Sequence, residues 1–72
     1  MAKTKDYYDD LLFNLAREAA SYGNTKAVQG LGARMMAIDA EWNKYNNGTI
    51  SYDEVINTSE RIVDSYRNIC MH

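Results

Sequence analysis

The chain has 72 residues, of which 46% are hydrophobic and 25% are charged. This length allows one domain, residues 1–72, and the apolar fraction is that of a packed protein rather than a disordered one. The chain has eight basic and ten acidic residues, which give a net charge of −2. Charge attraction to a nucleic-acid backbone is therefore not expected. No apolar run reaches the roughly 18 residues of a membrane span, and a secretory signal is not recognisable. The single cysteine, together with the lack of these two sequence signals, predicts a cytoplasmic protein.

The first amphipathic segment predicts a helix over residues 5–22. Its apolar residues recur at steps of three and four, which places them on one face of a helix. They are Tyr8, Leu12, Leu15, Ala19 and Tyr22, and Leu11 widens their stripe. Thr4 is the expected N-cap, with a side chain that accepts a hydrogen bond from a first-turn amide. Gly23 is expected to end the helix in the left-handed conformation.

A second helix is predicted over residues 26–45, with Asn24 or Thr25 as its N-cap. Its stripe steps alternately by three and four residues, as in a coiled-coil seam. The members are Val28, Leu31, Met35, Ile38, Trp42 and Tyr45. Gly30 and Gly32 fall inside this pattern, and each costs about 1 kcal/mol in a helix relative to alanine. Four explanations are open: close approach of another helix of this chain or of a partner, a local bend, a conformational switch, or glycines tolerated near a helix start.

A third helix is predicted over residues 52–69. Ser51 and Glu54 have the spacing of a capping box, in which each side chain binds a backbone amide near the other residue. The apolar arc of this helix comprises Val55, Ile56, Ile62, Val63, Tyr66, Ile69 and Cys70. Ser59 falls inside that arc, and a buried serine there is expected to bond back to the chain.

The links between the three predicted helices are short, which favours antiparallel neighbours. The chain is therefore predicted to be all-α, built from three antiparallel amphipathic helices. Two arrangements are open. One is an up-down-up bundle within a single chain, and the other is a helical hairpin whose third helix swaps into a second copy to form a homodimer.

The segment over residues 43–54 combines a turn with an acidic helix start. It places Gly48 where a calcium loop turns sharply and Glu54 where the closing carboxylate belongs, and so it resembles an EF-hand loop. The resemblance implies the ligands Asn43, Asn47, Thr49 and Glu54. However, Asn43 stands where an aspartate is usual, and Tyr45 stands where a short oxygen ligand is needed. A turn followed by the capping box accounts for the same residues, so no metal site is predicted and calcium binding is the alternative.

Catalytic residues and cofactor sites are not predicted in this chain. Cys70 and His72 are close in sequence, but they lack a third group to orient them. Asp6, Asp9 and Asp10 form a carboxylate cluster, which is expected at a helix N-terminus because the helix dipole favours negative charge there. No glycine-rich phosphate loop follows a strand pattern. The sequence therefore predicts a protein that is not an enzyme and carries no cofactor.

Function is expected to lie on the surface, because the chain offers no catalytic group. Candidate contacts are the apolar side chains off the buried stripes, the acidic first turn and the two helical glycines. They are Tyr7, Phe13, Asp6, Asp9, Asp10, Met36, Gly30 and Gly32. The sequence thus predicts a small protein-binding regulator or inhibitor that acts through a helical surface, on another protein or on a second copy of itself. In size and style it resembles phage-encoded inhibitors and bacterial accessory proteins.

Two other functions are carried as alternatives. The first is a weak calcium-responsive module that uses the EF-hand-like loop over residues 43–54. The second is a dimeric DNA-associated regulator built from helical hairpins, although the chain has no basic stripe to bind phosphates.

Overall fold

The structure of the chain, a computed structural model, describes residues 3–71. Its four helices are α1 (Lys5–Ser21), α2 (Thr25–Gln29), α3 (Leu31–Asn46) and α4 (Tyr52–Cys70). No strand occurs within the described range, and the prediction of an all-α fold is confirmed. None of these helices combines the length and the hydropathy that crossing a membrane requires.

The three long helices run up, down and up. Near one end of the bundle, the Tyr8 ring of α1 lies 6.3 Å from the Trp42 ring of α3. At the same level the Trp42 indole donates to the Ser59 hydroxyl of α4. Toward the other end, the Arg34 guanidinium of α3 lies 5.9 Å from the centroid of the Tyr66 ring of α4. Residue numbers therefore fall along α3 as they rise along α4, and the chain packs its own third long helix against the first two.

The predicted second helix is wrong in one respect, because Gly30 breaks it into α2 and α3. Gly30 has φ −79° and ψ −7°, so its ψ is far from the usual helical value of about −42°. Its amide is shared between the carbonyls of Lys26 and Ala27, both at 3.1 Å. This tight turn at Gly30 is a local bend, which is one of the explanations given above for the helical glycines. A Cβ on Gly32 would meet nothing within 4 Å, so close approach of another helix of this chain does not explain that glycine.

Helix α2 is held to the bundle by two side chains. Asn24 is its N-cap, because the side-chain oxygen accepts the Ala27 amide at 3.2 Å. The Nδ2 of Asn24 also donates to the carbonyls of Ile69 and Cys70 at the end of α4, both at 3.4 Å. The Tyr66 hydroxyl donates to the Ala27 carbonyl, and Ala27 is fully buried. A helix of five residues is unstable alone, so these contacts determine where it lies.

One hydrophobic core lies between α1, α3 and α4. Its buried members are Tyr8, Leu12, Ala16, Ile38, Trp42, Val55, Val63 and Tyr66. Three residues of the predicted stripes lie outside it, since Tyr22 is 78% exposed and Val28 and Ile69 are each 38% exposed. Helix α1 ends at Ser21, before Tyr22 can continue its stripe. The turn at Gly30 directs Ala27 inward in place of Val28. Ile69 lies in the last turn of α4, beside the end of the helix.

The helix ends follow the predicted local signals with one exception. Gly23 has φ +76°, as expected for a residue that ends a helix in the left-handed conformation. The capping box of α4 is complete, because Ser51 Oγ accepts the Glu54 amide at 3.1 Å and Glu54 Oε1 accepts the Ser51 amide at 3.3 Å. Thr4 occupies the N-cap of α1, but its side chain makes no capping bond. Its carbonyl accepts the Tyr7 amide at 3.1 Å instead.

Ser59 is fully buried in α4, and its hydrogen bond crosses to another helix. The Trp42 indole Nε1 donates to Ser59 Oγ at 3.1 Å, so the bond that the buried serine needs is made with a side chain of α3. A buried tryptophan needs an acceptor for its N–H group. The serine that interrupts the apolar arc supplies that acceptor.

Replacing Ser59 by alanine is expected to lower the free energy of unfolding by about 1–3 kcal/mol, because the indole N–H of Trp42 stays buried without its acceptor. Trp42→Phe removes the donor and leaves the hydroxyl unpaired. The double variant is expected to be less destabilised than the sum of the two single changes, since neither unpaired group remains. Urea unfolding followed by circular dichroism measures all three variants, and strictly additive effects would contradict the direct bond.

Candidate functional site

An ion cluster joins α1 to α3 beside the acidic start of α1. Lys5 Nζ lies 2.7 Å from Asp9 Oδ2 and 3.6 Å from Asp39 Oδ1. Lys5 and Asp9 belong to α1, whereas Asp39 belongs to α3, so this cluster marks the side of α1 that faces α3. The hydrogen bond to Asp9 is the main cause that raises the pKa of the Lys5 ammonium, which therefore stays charged.

Phe13 and Met36 lie along the seam between α1 and α3, and both are on the same side of this ion cluster. Phe13 is one helical turn after Asp9 on α1, and Met36 is one turn before Asp39 on α3. Because α1 and α3 run in opposite directions, both steps lead the same way along the bundle. Phe13 is 51% exposed and Met36 is 74% exposed. The antiparallel register thus brings two exposed apolar side chains to one seam.

The surface around this pair is acidic, and we call it the α1–α3 face. It comprises Asp6, Asp9, Asp10, Phe13, Gly32, Met36 and Asp39. Asp6 and Asp10 are exposed and share one side of α1 with Phe13 at helical spacing. The Oδ1 of Asp9 is buried and has no hydrogen-bond partner among the described residues. The four carboxylates of the face outnumber by two the neighbouring cations of α1, which are Lys5 and, one turn after Phe13, Arg17.

Two of the predicted contacts lie away from this face. Tyr7 is on the flank of α1 that faces α4, where its ring packs edge-on against Tyr8 with centroids 5.0 Å apart. Lys3 Nζ lies 5.5 Å from the Tyr7 ring centroid and 2.8 Å from Glu60 of α4. Gly30 forms the turn between α2 and α3. The other six candidates belong to the α1–α3 face.

The segment that resembles a calcium loop is divided between a helix and a turn. Asn43 lies inside α3. Gly48 turns the chain at φ +79°, and the Thr49 amide closes the end of α3 on the Lys44 carbonyl at 2.8 Å. Glu54 uses one carboxylate oxygen in the capping box. Within residues 3–71 no three His, Cys, Asp or Glu side chains gather into a metal-binding group. Calcium binding stays the alternative to the turn and capping box.

The structure contains two grooves that sequence reasoning missed. One of about 600 Å³ lies where α1 and α4 end, and its wall includes Leu15, Tyr22 and Met71. The other, of about 230 Å³, lies between α3 and α4 and carries Arg34 and Arg61. Each arginine directly precedes a residue of a predicted apolar stripe, which is the one sequence signal that places it at the edge of a helix seam.

The cysteine and histidine near the end of the chain are described only in part. Cys70 is half-buried at the end of α4, and His72 lies outside residues 3–71. Comparison with known proteins assigns the chain to no family. No protein-family model matches it, and neither a curated protein nor a solved structure matches it.

Proposed function

We propose that this chain is a small non-enzymatic protein that binds a partner protein through the α1–α3 face. One observation carries the proposal: Phe13 and Met36 are both largely exposed. Helical spacing from Asp9 and Asp39, which share Lys5, places both among carboxylates on the α1–α3 side. Exposed apolar residues that stand alone are normal on any protein. Two that flank one seam, inside a ring of charge, form the apolar centre and polar rim of a binding surface.

The chemistry of this face defines the partner. Covering Phe13 and Met36 removes two large apolar side chains from water, and each fully buried side chain of this kind contributes about 1.5–3 kcal/mol. The excess of carboxylates favours basic residues around the partner's apolar contact. The predicted partner surface is therefore apolar at its centre and basic at its edge.

The mode of action follows from the size of the chain. A 72-residue protein without a catalytic set regulates a partner by covering part of the partner's surface, which is the action of an inhibitor. The single cysteine, Cys70, suits a reducing compartment, and we place this activity in the cytoplasm.

Comparative affinity capture tests the proposal. The wild-type chain and the variant Phe13→Ser/Met36→Ser are immobilised at equal density and exposed to the same lysate, after matched circular dichroism spectra establish that both are folded. Proteins with basic, apolar surfaces are expected on the wild type and at least tenfold depleted on the variant. Equal capture by both, or capture by neither, would overturn the assignment of this face.

A further inference from the structure

The groove between α3 and α4 is the second chemically distinct surface of the molecule, and we call it the α3–α4 groove. Its lining consists of Arg34, Ala37, Thr58, Arg61, Ile62 and Ser65, around a volume of about 230 Å³. Ala37 and Ile62 give it an apolar lining, while the two hydroxyls offer hydrogen bonds. The volume corresponds to roughly seven molecules of bulk water, which is enough to receive part of a side chain.

The α3–α4 groove is positively charged. Among residues 3–71, four cations form ion pairs with carboxylates, namely Lys3, Lys5, Lys44 and Arg67. Neither Arg34 nor Arg61 forms an ion pair within that range. The nearby carboxylate of Glu41 on α3 is bound by Lys44 at 3.3 Å. Two guanidinium groups therefore remain to bind carboxylates, which they do with bidentate geometry.

The outer side of α1 has the complementary chemistry. Asp6, Asp10 and Phe13 follow one another at steps of four and three, so they form a stripe along the exposed side of α1. Asp6 and Asp10 are about 6 Å apart along the helix axis. Trp42 and Ser59 lie at one level of the bundle, and counting from that level places Arg34 and Arg61 about 9 Å apart along the bundle axis. Long arginine side chains can span the difference between this spacing and that of the two aspartates.

We infer that the acidic stripe of α1 docks in the α3–α4 groove of a second copy of the chain, with Asp6 and Asp10 paired to Arg34 and Arg61. Phe13 then lies toward the apolar lining of the groove. The inference rests on the proposed function, because it uses the α1–α3 face and names a second copy of the chain as one partner for that face. The stripe and the groove are different surfaces, so the contact is head-to-tail and leaves one of each exposed in a dimer.

The contact is small, and self-association is therefore weak. A stable interface buries about 1,200–2,000 Å² in total, whereas the whole chain exposes only 4886 Å². A single helix stripe in one groove covers less than the standard interface. Because exposed ion pairs hold it, association weakens as ionic strength rises. Self-association thus competes with any other protein for the same acidic face.

Sedimentation equilibrium of the full chain at low salt, between micromolar and millimolar concentration, tests this inference. The wild type is expected to show a weight-average mass that rises with concentration and falls back in 0.5 M salt. Arg34→Glu/Arg61→Glu and Asp6→Lys/Asp10→Lys are each expected to lower the association constant at least tenfold. Mixing these two variants restores association, because each groove then meets a stripe of opposite charge.

Two controls make the result specific. Lys26→Glu/Arg67→Glu changes the net charge by the same amount as the groove variant but is expected to associate like the wild type. Arg61→Glu alone replaces the groove variant if loss of Arg34 from the Tyr66 ring unfolds the chain. A wild type that stays monomeric at millimolar concentration overturns the inference, as does a mixture that fails to associate. Retained capture of a different partner in either case leaves the proposed function intact.

Discussion

Leu12→Ala is expected to lower the free energy of unfolding by about 2–5 kcal/mol, whereas Phe13→Ala changes it by less than about 0.5 kcal/mol. The two residues are adjacent in α1, yet Leu12 is fully buried in the core while Phe13 is 51% exposed. Truncating Leu12 leaves a cavity between the helices. Truncating Phe13 removes a side chain that water already reaches and replaces it with the residue that helices favour most.

Urea unfolding at neutral pH, followed by the fluorescence of the single tryptophan, Trp42, measures both changes. The loss expected for Leu12→Ala is a large share of the 5–15 kcal/mol typical of whole proteins, and a chain this short buries too little surface to be at the upper end. A strong loss of stability in Phe13→Ala would contradict the account. It would mean that Phe13 packs in the fold and is not held on the surface for a partner.

Alkaline pH is expected to destabilise the fold through two buried tyrosines. Burial is the main cause that raises the pKa of Tyr8 far above its usual value, and it raises the pKa of Tyr66 to about 12. The unfolded chain releases these protons from about pH 10, whereas the folded chain keeps them. Stability is therefore fully present below pH 10 and is lost as the pH rises toward 12. Each tyrosine contributes a slope of about 1.4 kcal/mol per pH unit in that window.

Urea unfolding at intervals between pH 9 and pH 11.5 tests this dependence, and Tyr66→Phe is the informative variant. It is expected to be less stable at pH 9, because the Ala27 carbonyl loses a hydrogen bond. Its slope above pH 10 is expected to be shallower than that of the wild type. Tyr22→Phe is the matched control, since Tyr22 is exposed to water in both states. Equal slopes in wild type and Tyr66→Phe would contradict the role of the buried hydroxyl.

The local features of the fold could be predicted from the sequence because they depend on neighbouring residues. The capping box of Ser51 and Glu54 needs only a spacing of three and an oxygen at each position, and the structure forms both of its bonds. Gly23 ends α1 at positive φ for an equally local reason. The stripe through Ile38 and Trp42 also follows from helical periodicity alone.

Features that depend on how helices meet could not be predicted in the same way. The backbone conformation of Gly30 does not require a glycine. The second helix breaks there because Tyr66 and Asn24 tie α2 to α4. The partner of the buried Ser59 hydroxyl is the Trp42 indole of α3, and this pairing depends on the level at which α3 packs against α4. These contacts join residues at least 17 positions apart, and no local pattern encodes such a pairing.

The candidate site also combines features that follow from local sequence with features that depend on how the helices meet. Phe13 and Met36 could each be singled out because each lies off its own buried stripe. That they share one side of the bundle depends on how α1 and α3 pair, which the contact of Tyr8 with Trp42 and the ion pair of Lys5 with Asp39 mark. The α3–α4 groove was missed because Arg34 and Arg61 are ordinary surface arginines until α3 and α4 are paired.

Among the described residues, the groove at the ends of α1 and α4 is a rival of the α1–α3 face. Tyr22 and Met71 are 78% and 73% exposed there, against 51% for Phe13 and 74% for Met36 on the face. The groove is also larger than the α3–α4 groove. A direct test of the proposed function therefore compares paired substitutions on the two surfaces.

The decisive measurement is the dissociation constant between the chain and a protein it captures, determined by titration calorimetry for three forms of the chain. We expect Phe13→Ser/Met36→Ser to weaken binding at least 100-fold and Tyr22→Ser/Met71→Ser to change it by less than threefold. Unchanged affinity in the first variant, together with a large loss in the second, would contradict the account and assign binding to the end of the bundle.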